Sequence, residues 1–223
     1  RDEASGELWG PTAAPMHDST ACYTACHGRG YSRFEHESRG IALQLFALAC
    51  AATMDPGDRV IMADPSYPCN RQLVQTFGAE VVTVPTTAAT RFQLDASSVE
   101  QAWDPHTRAV MIATPSNPTG TSVPFAELTA ICDLARSRGA WRIVDEIYLN
   151  LSDPAADGTR PQSVLSTDPD AIVINSFSKY FGMTGWRLGW AVVPEPLVAA
   201  MERLAMNYFL CASAPAQNAD LAC

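Results

Sequence analysis

Strand-like and helix-like stretches alternate along the chain from about residue 40 onward. Apolar runs typical of buried strands cover 59–63, 80–85, 108–113, 141–145, 171–175 and 188–193. Helical patterns lie between them, near 41–53, 69–77, 97–103, 124–138 and 195–209. Because strands that alternate with helices form parallel pairs covered by those helices, the sequence predicts an α/β fold. Its sheet should be mostly parallel, with helices on both faces.

The clearest helical pattern lies in the stretch 124–138. Its apolar side chains recur at spacings of three and four residues, at Phe125, Leu128, Ile131, Cys132 and Ala135. This spacing places the five side chains on one side of a helix, so we expect a single buried face there.

Composition and charge narrow the class of protein. The 223 residues are 47% hydrophobic and 17% charged, which is typical of a globular chain with a substantial core. The formal net charge is −9, so nucleic acid and anionic membrane surfaces are not expected partners. The longest apolar run, 41–54, is too short to span a bilayer.

Cysteine usage and the first residues bear on location and metal binding. Seven cysteines at irregular spacing argue against a disulfide framework and favour a reducing cytoplasm. Residues 1–10 have mixed charge and no apolar core, so no secretion signal is predicted there. Cys22, Cys26 and His27 lack a second ligand pair at zinc-like spacing, and no metal site is predicted.

Chemically useful side chains follow three of the predicted strands. Asn117 comes after the strand at 108–113, Asp145 with Tyr148 ends the strand at 141–145, and Lys179 follows the strand at 171–175. In open α/β sheets ligands bind at the carboxyl edge of the strands. The sequence therefore predicts that these side chains meet at one rim.

The pairing of Lys179 with Arg187 suggests the ligand. A lysine amine forms Schiff bases with carbonyl compounds, and arginine offers a planar, permanently charged fork to a phosphate. A ligand with both an aldehyde and a phosphate suggests pyridoxal 5'-phosphate (PLP). PLP needs a carboxylate at its ring nitrogen, which Asp145 could supply, and donors at its ring hydroxyl, which suit Asn117 and Tyr148.

Each of these residues also has an ordinary structural alternative. Asp145 could cap a turn after its strand, and Asn117 before Pro118 is a common turn starter. Tyr67 beside Pro68 could pack in a turn. The shared order and the shared sheet edge favour the functional interpretation.

Four separated motifs resemble one family. They are DPGDRVIMADPSYPCNRQLVQTFGAEVV at 55–82, SNPTG at 116–120, VDEIY at 144–148 and SFSKYFGMTGWRLGW at 176–190. Together they look like the fold-type I PLP-dependent aminotransferases of class I/II, over the chain from about Ser38 onward. The resemblance implies transfer of an amino group between an amino acid and a 2-oxo acid, both small-molecule substrates. It also implies a homodimer.

The resemblance assigns roles around the cofactor ring. Lys179 would hold PLP through a Schiff base and Asp145 would pair with the ring nitrogen. Asn117 and Tyr148 would hold the ring hydroxyl, and Tyr67 would stack on the ring face. Lys179, Asp145 and Tyr67 are the expected catalytic residues.

A second group of residues is assigned to the phosphate by the same resemblance. Ser176 and Arg187 would bind it, and Ser178 is a weaker candidate. The backbone at Arg39 and Gly40 would add a helix N-terminus to the phosphate site.

The two ends of the chain depart from the family pattern. We expect 1–37 to be an irregular segment and 38–223 to be the PLP-binding large domain, incomplete at its C-terminus. The small domain, which in relatives supplies an arginine for the substrate carboxylate, is expected to be largely missing. Tyr31 is the nearest candidate for a tyrosine that would reach a neighbouring subunit's phosphate.

Three alternatives stay open at this point. The same scaffold could carry a C–S lyase or decarboxylase reaction, since the cofactor motifs do not select the bond that breaks. A ligand-sensing domain without catalysis is a second alternative. The third is a PLP-binding fragment that lacks activity of its own.

Overall fold

A computed structural model describes residues 33–35, 41–154, 158–210 and 213–220. The described residues form one seven-stranded sheet. Its strands are β1 (Arg33–Glu35), β2 (Arg59–Asp64), β3 (Glu80–Pro85), β4 (Thr107–Ala113), β5 (Trp141–Asp145), β6 (Ile172–Ser176) and β7 (Gly189–Val192).

The sheet is mostly parallel, as the alternating pattern predicts. Its spatial order is β1-β7-β6-β5-β4-β2-β3, and neighbouring strands from β6 through β5, β4 and β2 to β3 are all parallel. β7 runs antiparallel to both of its neighbours, β6 and β1. β1 lies within 1–37, where the sequence predicts no element, so that segment is not irregular throughout.

Among the described residues, five helices lie at the predicted places, and a sixth, at Ala214–Asp220, lies where the sequence analysis predicts none. They are α1 (Ile41–Thr53), α2 (Pro68–Thr76), α3 (Ala96–Ala102), α4 (Phe125–Ser137), α5 (Glu195–Tyr208) and α6 (Ala214–Asp220). None of the helices in the described ranges is both long and apolar enough to cross a membrane.

Both faces of the sheet are buried, which explains the nearly continuous apolar strands. Successive strand residues point to opposite faces. Met111 and Ile143 therefore belong to a core that also contains Phe46 of α1 and Met201 of α5. On the other face, a second core packs against α3 and α4 and contains Val110, Ile112, Val144, Val99, Leu128 and Ile131.

The face predicted for α4 is confirmed except at its first turn. Leu128, Ile131, Cys132 and Ala135 are buried, whereas Phe125 is only half-buried. Phe125 is the first residue of the helix, where the helix has just entered from the loop after Pro124.

Candidate active site

Three adjacent strands end at one cavity. β4, β5 and β6 are neighbouring and parallel, so the segments that follow them meet at the carboxyl edge of the sheet. The cavity there has a volume of about 180 Å³. Eight of the predicted site residues line it: Tyr67, Asn117, Asp145, Tyr148, Ser176, Ser178, Lys179 and Arg187. Arg39, Gly40 and Tyr31 lie outside the described residues.

Asp145 is the last residue of β5 and is half-buried at the cavity wall. Its Oδ1 accepts a hydrogen bond of 3.0 Å from the backbone N–H of Ile147. Burial raises the pKa of Asp145 to about 7, because desolvation outweighs the opposing effects of this hydrogen bond and of the charge on Lys179. A positive group placed against this carboxyl would therefore be stabilised.

Lys179 lies in the turn after β6, at the exposed mouth of the cavity. Its Nζ is 5.5 Å from the centroid of the Tyr148 ring, a distance typical of a cation–π contact. Tyr148 follows β5, so this contact joins the ends of two neighbouring strands. The amine is accessible to a ligand that enters the cavity.

The turn that presents Lys179 is held by hydroxyl groups. Ser176 Oγ donates to the carbonyl of Leu188 at 3.2 Å and accepts from the backbone N–H of Ser178 at 3.0 Å. Thr184 Oγ1 donates to the carbonyl of Ser178 at 2.7 Å. Since Ser178 directly precedes Lys179, these bonds fix the backbone at the lysine.

Arg187 brings a permanent positive charge to the same corner. Its backbone is left-handed, with φ 57°, and this directs the chain from the turn at Thr184–Trp186 into β7. Its Nη1 donates to the carbonyl of Thr184 at 2.6 Å and to Ser178 Oγ at 3.5 Å. A guanidinium has five N–H donors, so this corner suits a phosphate.

Tyr67 and Asn117 complete the predicted set. Tyr67 is half-buried at the N-cap of α2, and a hydrogen bond with the Cys69 side chain raises the pKa of its phenol. Asn117 is half-buried in a tight loop after β4, which is closed by a 2.8 Å bond from the N–H of Gly120 to the carbonyl of Ser116. Gly120 has φ 67°, a left-handed conformation that favours glycine.

Six further residues line the cavity that the sequence reasoning did not single out: Leu43, Phe46, Asn70, Ala113, Ile147 and Thr184. Leu43 and Phe46 lie three residues apart on α1, and this helical spacing is the signal that could have found them. Asn70 lies three residues after Tyr67 in a helix that Pro68 begins. That position relative to the predicted ring-stacking tyrosine could have marked it.

Glu146, the residue after Asp145, holds the end of β5 in place through a buried hydrogen bond. It is 2% exposed, and its Oε1 accepts a 2.8 Å hydrogen bond from the backbone N–H of Val164. Burial raises the pKa of Glu146 to about 7, because desolvation outweighs the lowering effect of the hydrogen bonds from Val164 and Ser163. Glu146 therefore ties the end of β5 to the segment around 163–166.

The described residues form an open α/β domain, and Lys179, Asp145 and Arg187 line a cavity at the carboxyl ends of its strands. This arrangement is typical of α/β domains that bind a ligand at the edge of the sheet. The sequence profile of the family "Aminotransferase class I and II" matches residues 38–223. The chain belongs to the aminotransferase class I and II family.

Individual relatives agree with this assignment. A valine–pyruvate aminotransferase of Mycobacterium tuberculosis is 44% identical over 166 residues, which are 74% of this chain and 42% of the relative. An arginine–pyruvate transaminase of Pseudomonas aeruginosa is 37% identical over 155 residues, 69% of this chain and 39% of that protein. The chain thus spans less than half the length of these two relatives.

Solved structures share the fold. A crystal structure of an aminotransferase from Mycobacterium tuberculosis has a TM-score of 0.78 and 38% identity, covering 88% of this chain and 50% of that one. A variant of Thermus thermophilus aspartate aminotransferase has a TM-score of 0.81 and 29% identity, covering 91% and 55%.

Proposed function

We propose that this chain is the cofactor-binding part of a PLP-dependent aminotransferase, which moves an amino group between an amino acid and a 2-oxo acid. One observation carries the proposal. Lys179, Asp145 and Arg187 share a single cavity at the carboxyl edge of three adjacent strands. The names of the relatives, which pair valine or arginine with pyruvate, support this substrate class.

The residues present fit PLP. Arg187 and Ser178 form a cationic, hydroxyl-bearing corner for the phosphate. Asp145, with its pKa raised to about 7 by burial, matches a ring nitrogen that carries a proton. The phenols of Tyr67 and Tyr148 and the amide of Asn117 line the same cavity, which leaves polar and aromatic surface for the ring.

Bound PLP would supply an aldehyde that condenses with primary amines and a ring that withdraws electrons from the substrate Cα. Lys179 Nζ would anchor the cofactor at rest. Once an incoming amino acid frees it, the same amine would remove the proton from the substrate Cα and return a proton later, as general base and acid. Asp145 would hold the proton on the ring nitrogen, and Tyr67 would keep the ring in its plane.

The proposal also covers the domain boundaries, the oligomeric state and the cellular location of the protein. Residues 38–223 form the cofactor-binding domain, and the enzyme is a cytoplasmic homodimer. Tyr180 and Trp186 support association, since they are 54% and 47% exposed next to Lys179 and Arg187, and aromatic rings are enriched at protein interfaces. Sedimentation equilibrium tests the oligomeric state, and a monomer at all concentrations would contradict the dimer.

A single variant tests the anchor. Lys179 is the only lysine among the 223 residues, so no other side chain in this sequence carries a primary amine. After incubation with PLP and reduction with borohydride, peptide mass spectrometry should find the adduct at Lys179. Lys179→Ala should lose that adduct completely. An undiminished adduct elsewhere in the variant would exclude Lys179 as the anchor.

The reaction itself is tested with substrates. Purified protein loaded with PLP should release a 2-oxo acid from an amino acid only when a second 2-oxo acid is present as acceptor. Continuous release without an acceptor would indicate elimination or decarboxylation on the same scaffold instead of transfer.

A further inference from the structure

Three aromatic rings contact one another beside the turn that carries Lys179. The ring centroids of Phe177 and Phe181 are 4.9 Å apart, and the two ring planes are inclined at 40°. Trp190 of β7 contacts both rings, with centroid distances of 4.8 Å to Phe177 and 6.4 Å to Phe181. Tilted rings at such distances attract one another beyond the burial of their apolar surface. We call these three residues the aromatic cluster.

The aromatic cluster holds the turn on both sides of Lys179. Phe177 lies two residues before the lysine and Phe181 lies two residues after it. The backbone N–H of Met183 donates to the carbonyl of Phe177 at 3.1 Å, which closes the turn between the two rings. Since both rings pack against Trp190, the turn is fastened to β7 before and after the lysine.

Phe181 supplies the packing on the side that follows the lysine. The hydroxyl bonds of Ser176 and Thr184 act on the backbone at Ser178, before Lys179. Of the next three residues, Tyr180 is exposed and Gly182 has no side chain. Phe181, between them, is partly buried against the first core.

The place of the Lys179 amine depends on this turn. Nζ lies 5.5 Å from the centroid of the Tyr148 ring, at the end of a long side chain that starts from the turn. An amine that must reach both a cofactor and a substrate Cα is sensitive to such placement. A displacement of about 1 Å can cost about a hundredfold in rate.

We propose that Phe181 is a positioning residue for the proposed reaction. Packed against Phe177 and Trp190, it fixes the turn so that the Lys179 amine stays at the cavity wall beside Tyr148. This inference rests on the proposed function, because PLP is what the amine has to reach. Capture of PLP joins Nζ to the aldehyde carbon and releases one molecule of water.

The position of the amine can be measured without cofactor. Because Lys179 is the only lysine in the sequence, protein labelled with 13C at the lysine ε-carbon gives one lysine signal. The ring current of Tyr148 should shift the attached protons upfield from their position in the urea-unfolded chain. Phe181→Leu removes the ring but stays apolar, and it should lose most of this shift.

The rate of capture is the second measurement. Protein is mixed with saturating PLP, and samples are quenched with borohydride at successive times. Mass spectrometry then gives the fraction of Lys179 that carries the adduct. Phe181→Leu should capture PLP about tenfold more slowly than the wild type, and Phe181→Tyr, which keeps the ring, should stay within about twofold of it.

The matched control is Phe77→Leu. Phe77 follows α2, packs against the same core as Phe181 and does not line the cavity. Both leucine variants lose a packed ring, so both should melt at a lower temperature than the wild type. Only Phe181→Leu should change the lysine signal and the capture rate. If Phe181→Leu does not fold, Phe181→Met takes its place with the same expectations.

The outcomes separate the two proposals. A lysine signal or a capture rate that is the same in Phe181→Leu and the wild type would overturn the inference alone. Equal changes in Phe77→Leu would also overturn it, since they would indicate general loosening of the core. A wild-type chain that captures no PLP would overturn the proposed function, and the inference with it.

Discussion

The carboxyl of Asp145 carries a free-energy penalty that a bound cation would remove. Its pKa is raised from 3.8 to about 7 by burial. At neutral pH and above, the folded chain without ligand must therefore hold a charge in a poorly solvated place. The same poor solvation would strengthen the binding of a cationic ligand. A protonated ring nitrogen would replace the water that the carboxylate lacks.

The sign of the resulting pH dependence can be worked out. Between pH about 4 and 7 the folded state keeps the Asp145 proton that the unfolded state has lost, so stability falls as pH rises through this window. Asp145→Asn cannot ionise. In urea denaturation of the cofactor-free chain from pH 4 to 8, the free energy of unfolding should therefore decline less in this variant, by an amount on the order of a few kcal/mol at neutral pH.

A residual decline is expected in that variant, since the pKa of Glu146 is raised in the same direction. The control is Asp133→Asn, whose side chain on α4 is 54% exposed, and its profile should follow the wild type. Parallel profiles for Asp145→Asn and the wild type would show that Asp145 does not titrate in this window.

At the scale of elements, β5 is held to the segment that follows the loop at 158–163. Arg142 of β5 forms a two-pronged ion pair with Asp168, with Nε–Oδ2 and Nη2–Oδ1 distances of 2.7 and 2.8 Å. The two side chains are 7% and 1% exposed. Together with the bond from Val164 to Glu146, this pair fixes the strand that presents Asp145.

Removing one partner of this pair should therefore be costly. Asp168→Ala leaves the Arg142 guanidinium buried without its counter-charge, and we expect a loss of about 3–5 kcal/mol in the free energy of unfolding. Urea denaturation provides the measurement. The control is Glu100→Ala, which breaks an exposed ion pair with Arg138 and should cost at most about 1 kcal/mol. Equal losses in the two variants would contradict a structural role for the buried pair.

Element boundaries could be predicted well where burial alone determines them. The strand at 141–145 is found as predicted, and β6 begins one residue later than the apolar run at 171–175. Central parallel strands are buried on both faces, so their sequences are nearly continuous apolar runs that can be recognised without the structure. β1 could not be predicted, because its three residues, RFE, carry no pattern and its existence depends on pairing with β7.

The site could be predicted in part, for a similar reason. Asn117, Asp145 and Lys179 each follow an apolar strand, and parallel strands bring their carboxyl ends together. The role of Glu146 depends on burial and on a partner that is distant in sequence. Val164, which donates to Glu146, is 18 residues away along the chain. No local pattern contains that information.

At the scale of the whole molecule, the cavity joins distant parts of the chain. Tyr67 begins α2, Asn117 follows β4, Asp145 ends β5 and Lys179 follows β6, so four segments over more than a hundred residues share one wall. A ligand held by all of them binds only the assembled fold. Its binding energy therefore adds to the stability of the entire domain.

This linkage gives a prediction for cofactor addition and for the phosphate corner. At a PLP concentration of about 100 times Kd, the wild-type melting temperature should rise by about 5–10 °C. Pyridoxal, which lacks the phosphate, should give a much smaller rise at the same concentration. Arg187→Met should reduce the rise with PLP to nearly that with pyridoxal, because the guanidinium fork no longer meets the phosphate.

Arg203→Met, the same substitution at an exposed position of α5, serves as the control and should keep the full difference between the two ligands. If Arg187→Met retained that difference, the phosphate would have to be bound elsewhere. The corner formed by Ser178 and Arg187 would then be a structural turn, and the cofactor would be oriented in the cavity by its ring contacts alone.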